Sequence, residues 1–294
     1  MSKPQASASA ERASLAAKYD ISTYKVVPRR YFGRYAAATV IVVMLIGLVH
    51  AFINGNIEWG FVRQFLTAES IMFGLLNTIT MSILAMALGV VLGVIVAVMR
   101  MSQNPLLRYV AQGYTWLFRG TPLILQLLLW FNLALIFPTL GIPGLFEFKT
   151  VEVITPFAAA LLGLGINQGA YTAEVVRAGL LSVDSGQYEA AKSIGMPRLQ
   201  ALRRIILPQA MRVMVPPVGN EVIGMVKLTS LASVIQFSEI LHNAQIIYYA
   251  NTRVLELLLV ASFWYLVVVS VLSVIQQRIE RHYGRGSKSI RASM

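Results

Sequence analysis

Charge is missing from long stretches of this chain. Between one charged residue and the next the sequence runs uncharged over Tyr35 to Ile57, Ser70 to Met99, Gly120 to Phe146, Val153 to Ala173 and Leu257 to Gln277. Each run reaches the roughly 20 residues an α-helix needs to cross the hydrocarbon core of a bilayer. A sixth apolar stretch, Val213 to Phe237, carries Glu221 and Lys227; charges inside a span usually face protein or water rather than lipid. Only 13% of the 294 residues are charged and 56% are hydrophobic, which excludes an ordinary soluble domain, where about 25% are charged. The pattern predicts an all-α polytopic membrane protein, with spans near 35–54, 74–99, 112–137, 154–176, 213–236 and 256–277.

The formal net charge of +12 could point to nucleic acid, so the positions of the basic residues decide. With these spans, 20 of the 25 lysines and arginines fall on the side that holds both termini. By the positive-inside rule that side is cytoplasmic. Basic patches facing anionic membrane lipid account for the charge without any nucleic acid partner.

Cysteine is absent, which removes disulfides and thiolate chemistry together, and His50, His242 and His282 have no metal-ligand spacing. Residues 1–34 read as a basic cytoplasmic tail, and 281–294 as a second one. The apolar run after the first tail is too long for the 7–15-residue core of a cleaved signal, so 35–54 reads as an uncleaved span. Gly89 and Gly93, four apart in the second span, suit close packing against another helix of the same subunit.

Charge and backbone disruption meet at Phe118-Arg119-Gly120-Thr121-Pro122. Proline removes a backbone donor, and such breaks at membrane depth are tolerated where they are buried in protein or line a wet cavity. Two readings stand for Arg119: the end of a helix at the interface, or part of a polar pathway that includes Thr121. Further on, Glu174 and Arg177 lie three apart, on one helix face, where they can pair locally; Glu174 could also face the pathway.

From Asp184 the sequence predicts two short helices in a cytoplasmic loop. Asp184 and Gln187 have capping-box spacing, Gly195 suits the left-handed stop of the first helix, Pro197 the first turn of the second, and Pro208 its end. The first helix presents a narrow face at Ala190 and Ala191, flanked by Glu189 and Lys192, which suits insertion into a partner's groove.

Glu189-Ala190-Ala191, three residues, Gly195, nine residues and then Ile205-x-Leu207-Pro208 resemble the EAA loop of permease subunits of bacterial ATP-binding cassette importers. Arg119-Gly-Thr-Pro122, Ala170-Tyr-x-Ala-Glu174-Val-Val-Arg177, Pro216-Pro-x-Gly219-Asn220-Glu221 and Lys227-x-Thr229-Ser230-Leu231 are similar to the polar amino acid branch (histidine, glutamine or arginine type) of that family. The resemblance covers about residues 70–280. It implies an importer-type permease fold with a five-span core and one extra N-terminal span, placed in the bacterial inner membrane. It also implies a second permease subunit, identical or paralogous, two ATPase subunits and an external solute-binding protein. The EAA helix would be the coupling element, in a cytoplasmic loop over 178–212, with Glu189, Ala190, Ala191, Gly195 and Pro208 as coupling residues. Many relatives carry an acidic or amide residue where Leu228 follows Lys227 here.

No Gly-x4-Gly-Lys-Ser/Thr phosphate loop occurs; the lookalike Gly284-Arg-Gly-Ser-Lys288-Ser289 lacks its spacing. The chain is therefore expected to be non-catalytic and to hold no cofactor, with ATP and Mg bound by the partner ATPase. A zwitterionic amino acid needs an anion-stabilising group and an acceptor for its ammonium. Arg119, Lys227, Glu174 and Glu221 are the charged candidates, with Asn220, Thr229 and Ser230 beside them. Glu221 and Lys227 lie about 240° apart around a helix and cannot pair directly. For Thr229 and Ser230 the competing role is to bond back to their own helix. The alternative function, a self-sufficient secondary transporter or channel, requires an internal repeat or a carboxylate ion site, neither of which is evident.

Overall fold

A computed structural model describes residues 32–142 and 146–283. Most of both predicted tails and the phosphate-loop lookalike lie outside the described residues. The chain divides into two compact units, Met1–Ile57 and Glu58–Met294. The first contains helix α1 (Phe32–Ile53), 22 residues exposed all round with a mean hydropathy of 2.5. A helix that is apolar on every face is suited to lipid.

The second unit is a helical bundle. It runs α2 (Trp59–Leu66), α3 (Glu69–Arg100), α4 (Pro105–Gly120), α5 (Leu123–Phe131), strands β1 (Thr139–Ile142) and β2 (Phe146–Lys149), α6 (Thr150–Val153) and α7 (Pro156–Leu181). Then come α8 (Ser185–Ser193), α9 (Arg198–Ala201), α10 (Leu207–Leu228), α11 (Ile240–Asn251) and α12 (Val254–Tyr283). Among the described residues four helical stretches are long and apolar enough to cross a membrane: 32–53, 69–100, 198–235 and 254–283. β1 and β2 form an antiparallel hairpin with Leu140 opposite Phe148.

The bundle is built on α3 and α7, which pack side by side along much of their length. Glycine makes that approach possible. A Cβ on Gly89 would stand 2.6 Å from Cγ of Gln168, and one on Gly93 would stand 2.7 Å from Cβ of Thr172 and 3.0 Å from the Ala173 backbone nitrogen. The main core lies around this pair, with Met81 and Ala85 of α3 against Leu127 of α5, Leu164 of α7 and Met225 of α10. A second core joins Ile71, Ile240 and Leu257 toward one end. There Asn77 donates to the Ser238 carbonyl at 2.7 Å, and Glu239 caps α11 through the Leu241 and His242 amides at 2.8 and 2.6 Å. A third core, Val183, Ile206, Ala210 and Met214, closes the opposite end beneath α8.

Two details differ from the sequence reading, while the interruption read at Phe118 to Pro122 is present. The apolar stretch around 112–137 is two helices, broken between Gly120 and Leu123. Its exposed carbonyls are satisfied by side chains: Gln126 donates to the Phe118 and Thr121 carbonyls, both at 3.1 Å, and Asn167 to Phe118 at 2.8 Å. Asp184 caps α8 through the Gly186 amide at 2.7 Å, while the Gln187 side chain instead accepts from Gln209 at 3.2 Å, so no reciprocal box forms. Pro208 does not end a helix. The chain passes from α9 through a π turn, Leu202–Ile206, straight into α10, so Pro208 lies inside one continuous helical stretch, two residues past that turn. Gly195 does adopt the left-handed conformation, at φ +71°.

Replacing Gly93 with leucine is expected to destabilise the purified subunit by about 1–3 kcal/mol, because the new side chain meets the Ala173 backbone and the stiff, branched Cβ of Thr172. Gly113→Ala, where the added methyl meets open space, is expected to be neutral or slightly stabilising. Thermal unfolding in detergent, read by size-exclusion fluorescence, compares the two.

Candidate functional site

The break between α4 and α5 does not face lipid alone. It forms one wall of a cavity of about 540 Å³, with Asn167, Gln168 and Tyr171 of α7 and Glu221, Gly224 and Leu228 of α10 as the others. Arg119, Gly120, Thr121 and Pro122 all line it.

Glu221 projects from α10 into this space and is held from α7. Its Oε2 accepts from Gln168 Nε2 at 2.8 Å and from the Thr172 hydroxyl at 3.0 Å, while Gln168 Nε2 also donates to the Thr172 oxygen at 3.0 Å. One carboxylate oxygen is therefore fixed by two neutral donors. Oxygen Oε1 has no such partner among the described residues. With its neutral donors gathered on one oxygen, the carboxylate leaves the other as an acceptor toward the cavity.

Arg119 is the positive counterpart. Its guanidinium lies 5.3 Å from the centroid of the Tyr171 ring, an attractive geometry for a cation, and its side chain is 43% exposed. The nearest carboxylate oxygen, Oε1 of Glu174, stands 3.6 Å away and is already engaged by Arg100. The other oxygen of Glu174 accepts from Arg177 Nε and Nη2 at 3.0 and 2.9 Å. Three guanidinium groups from α3, α4 and α7 thus share one carboxylate, and Arg119 is the one left facing the cavity.

The structure separates the residues named from sequence. Arg119, Thr121 and Glu221 meet in the cavity. Glu174 does not line it but anchors the arginine cluster beside it. Asn220 turns toward α12, donating to the Pro216 carbonyl at 3.2 Å and lying 3.5 Å from Glu280. Lys227 is exposed on α10 outside the cavity lining. The Thr229 and Ser230 hydroxyls bond back to the Val226 and Lys227 carbonyls, each at 2.7 Å. The two alanines of α8 also part company: Ala191 is buried, facing a recess of about 450 Å³ shared with Met196, Ala201 and Ile206, while Glu189 and Ala190 are exposed. Gly195 is exposed at the end of that helix, and Pro208 is exposed on α10.

Sequence reasoning passed over Asn167, Gln168, Tyr171, Gln126 and Arg100. A signal existed for the first two, since adjacent amides in the middle of an uncharged span carry a desolvation cost that needs a partner. For Arg100, at the end of its helix, no local signal exists.

The model of the family "binding-protein-dependent transport system inner membrane component" matches residues 89–285. The chain belongs to that family. It is 42% identical over 263 residues to the arginine transport system permease protein ArgU of Corynebacterium glutamicum, covering 88% of this chain and 83% of that one. With the L-cystine transport system permease protein TcyB of Bacillus subtilis it shares 39% identity, covering 72% of this chain and 86% of the relative. Among solved structures, an amino acid ABC transporter with histidines matches with a TM-score of 0.63 at 36% identity, over 72% of this chain and 94% of that chain. The MetNI methionine ABC transporter shares the fold at 20% identity and a TM-score of 0.57. This chain is an amino acid ABC importer permease subunit, an inner-membrane multi-pass protein of a family that works with ATPase and binding-protein partners.

In this permease the arginine cluster depends on one acceptor. Glu174→Gln is expected to lower stability by about 2 kcal/mol, since it leaves Arg100, Arg119 and Arg177 facing one another without a carboxylate. Arg177→Gln removes one of the three and is expected to cost less. Thermal midpoints of the two variants in the same detergent check the order.

Proposed function

We propose that the permease passes a zwitterionic polar amino acid to the cytoplasm by alternating access, and that Arg119 and Glu221 are its two anchors. The substrate carboxylate pairs with the Arg119 guanidinium and its ammonium with Glu221, while Thr121 and Gln168 complete the polar wall. The observation that carries this reading is the cavity itself, which has one underused cation and one half-satisfied carboxylate facing the same space. A single polar pair surrounded by apolar helices suits orientation of a small ligand. The names of the arginine and cystine relatives support an amino acid of this kind.

Energy enters from other chains in this reading. The helix Glu189 to Gly195 docks into each of two ATPases, which bind ATP and Mg; an external solute-binding protein delivers substrate, and a second permease subunit completes the pathway. Both termini are cytoplasmic. The core over 70–280 includes the coupling loop 178–212, and the span at 35–54 is additional to the five of the core. Movement of α8 reaches Glu221 along one route, since α9, the π turn and α10 are continuous. Pro208 lies on that route.

Uptake of labelled amino acid into proteoliposomes holding the whole transporter tests the anchors. Arg119→Gln and Glu221→Gln are each expected to raise KM for uptake at least about tenfold, the loss of one charge-assisted contact. Unchanged KM in both variants would remove the anchor assignment.

Coupling has a separate test. Ala190→Trp, at an exposed position, is expected to leave membrane insertion intact and to reduce the ATPase that co-purifies with the tagged permease. Mass spectrometry of the purified wild-type complex identifies the ATPase and permease partners. Recovery of this chain alone, with uptake intact without any ATPase, would favour a secondary transporter instead.

A further inference from the structure

The cavity beside the helix break holds acceptors that the two anchors leave unused. Asn167 and Gln168 line it from α7 and are only 6% and 5% exposed. Their amide nitrogens are spent. Asn167 Nδ2 donates to the Phe118 carbonyl at 2.8 Å and to Gln126 Oε1 at 3.1 Å, and Gln168 Nε2 donates to Glu221 Oε2 at 2.8 Å and to the Thr172 hydroxyl at 3.0 Å. A carbonyl and a carboxylate only accept, so the orientation of both amides is fixed by chemistry. Neither Asn167 Oδ1 nor Gln168 Oε1 accepts a hydrogen bond from the described residues, yet among those residues no fully enclosed side-chain polar atom lacks a partner. The two oxygens therefore open onto the space that both residues line.

With Glu221 Oε1, the wall made by α7 and α10 presents three acceptors, one of them charged. Donors are fewer. The Thr121 hydroxyl is turned to the Leu117 carbonyl at 2.8 Å, and the side-chain donors left to a ligand are the Arg119 guanidinium and the Tyr171 hydroxyl, members of one stacked pair. In the anchored pose both serve the substrate carboxylate. We propose that the side chain of the substrate ends in a donor-only cation, a guanidinium or an ammonium, and that Asn167 and Gln168 are the residues that select it. The inference rests on Arg119 and Glu221 holding the two backbone groups.

The other side-chain classes fit this wall poorly. A carboxylate brings acceptors to acceptors, and a primary amide brings an acceptor together with its donors. An aliphatic chain covers both amide oxygens without bonding them, and a polar atom deprived of water and partner is costly. Guanidinium and ammonium groups carry donors alone. The Gln168 oxygen belongs to the amide that touches Glu221, so a neutral acceptor stands beside the charged one. Pro122, Leu123 and Leu228 of the same cavity offer apolar surface to the methylene stem behind such a cation.

The sequence contains no cysteine, so Leu228→Cys puts a single thiol of this chain on the cavity wall. The complete transporter carrying it is placed in nanodiscs without nucleotide or solute-binding protein, so that the permease alone discriminates. Labelling of that thiol by N-ethylmaleimide, mapped by mass spectrometry, is followed against rising L-arginine, L-lysine, L-norleucine and L-glutamate. Arginine and lysine are expected to protect the thiol at concentrations at least about tenfold below norleucine, which lacks the donor, and glutamate to protect least. Equal protection by all four would keep the anchors and overturn the cation preference, as would glutamate or norleucine protecting at the concentration of arginine. Protection by none would remove the anchors and this inference together. Adding Asn167→Leu is expected to shrink the advantage of arginine over norleucine while norleucine protects as before, a change that a merely structural role would not produce. An unchanged ratio would overturn Asn167 as an acceptor. The four-ligand comparison decides the preference even if that variant fails to assemble.

Discussion

The polar interior of this permease rests on the closeness of α3 and α7. With side chains at Gly89 and Gly93 the two helices could not approach as they do, and Gln168 and Thr172 would move with α7. Those two residues hold Glu221 of α10, so a packing contact made of missing atoms governs where a carboxylate sits. In a bilayer this is a natural division of labour. Lipid is as apolar as the helices, so association depends on van der Waals fit and interhelical hydrogen bonds, both of which need close backbones.

A second constraint follows from the first. Backbone groups at membrane depth must find partners inside the protein, yet the chain interrupts its helix at Gly120 to Pro122. Gln126 and Asn167 take up the carbonyls that the interruption frees. The break is thereby stable enough to bring Arg119 to a cavity wall. The arginine is kept there by Tyr171 and the edge of the Glu174 cluster, without a carboxylate of its own. Different side chains do the two jobs: amides satisfy the backbone, and charges face the space.

The same economy appears in α10. Two irregular features, the π turn at 202–206 and the prolines at 216 and 217, lie on either side of Met211 and Met214. Gln276 from α12 donates to the Pro216 carbonyl, which ties this irregular stretch of the helix to its neighbour. A helix of this kind can change its lean without breaking, which suits an element joining α8 to Glu221.

Much of this was legible in the residues. Long uncharged runs impose helices because no other local structure satisfies its own backbone in lipid, and the Glu189 to Pro208 pattern carried the family resemblance that the comparisons bear out. Gly195 could be read as a left-handed stop because only backbone sterics are involved. Charged candidates within spans were also visible as types. What the sequence could not order was which of them share a space. Arg119 and Glu221 stand about a hundred residues apart in the chain and meet only through α7. Glu174, Asn220, Lys227, Thr229 and Ser230 looked equally eligible, and each was turned elsewhere by the face its helix presents or by a nearer partner. Pro208 misled for the same reason: a proline can stay inside a continuous helix where the hydrogen-bond ladder is already irregular, and the π turn just before it is not visible in the sequence. Local chemistry alone decided that this chain makes membrane helices and carries the pattern by which it resembles its family. Only the packing of α3 on α7 decided which polar groups face the cavity, because a side chain's direction depends on helix rotation and on contacts distant in sequence.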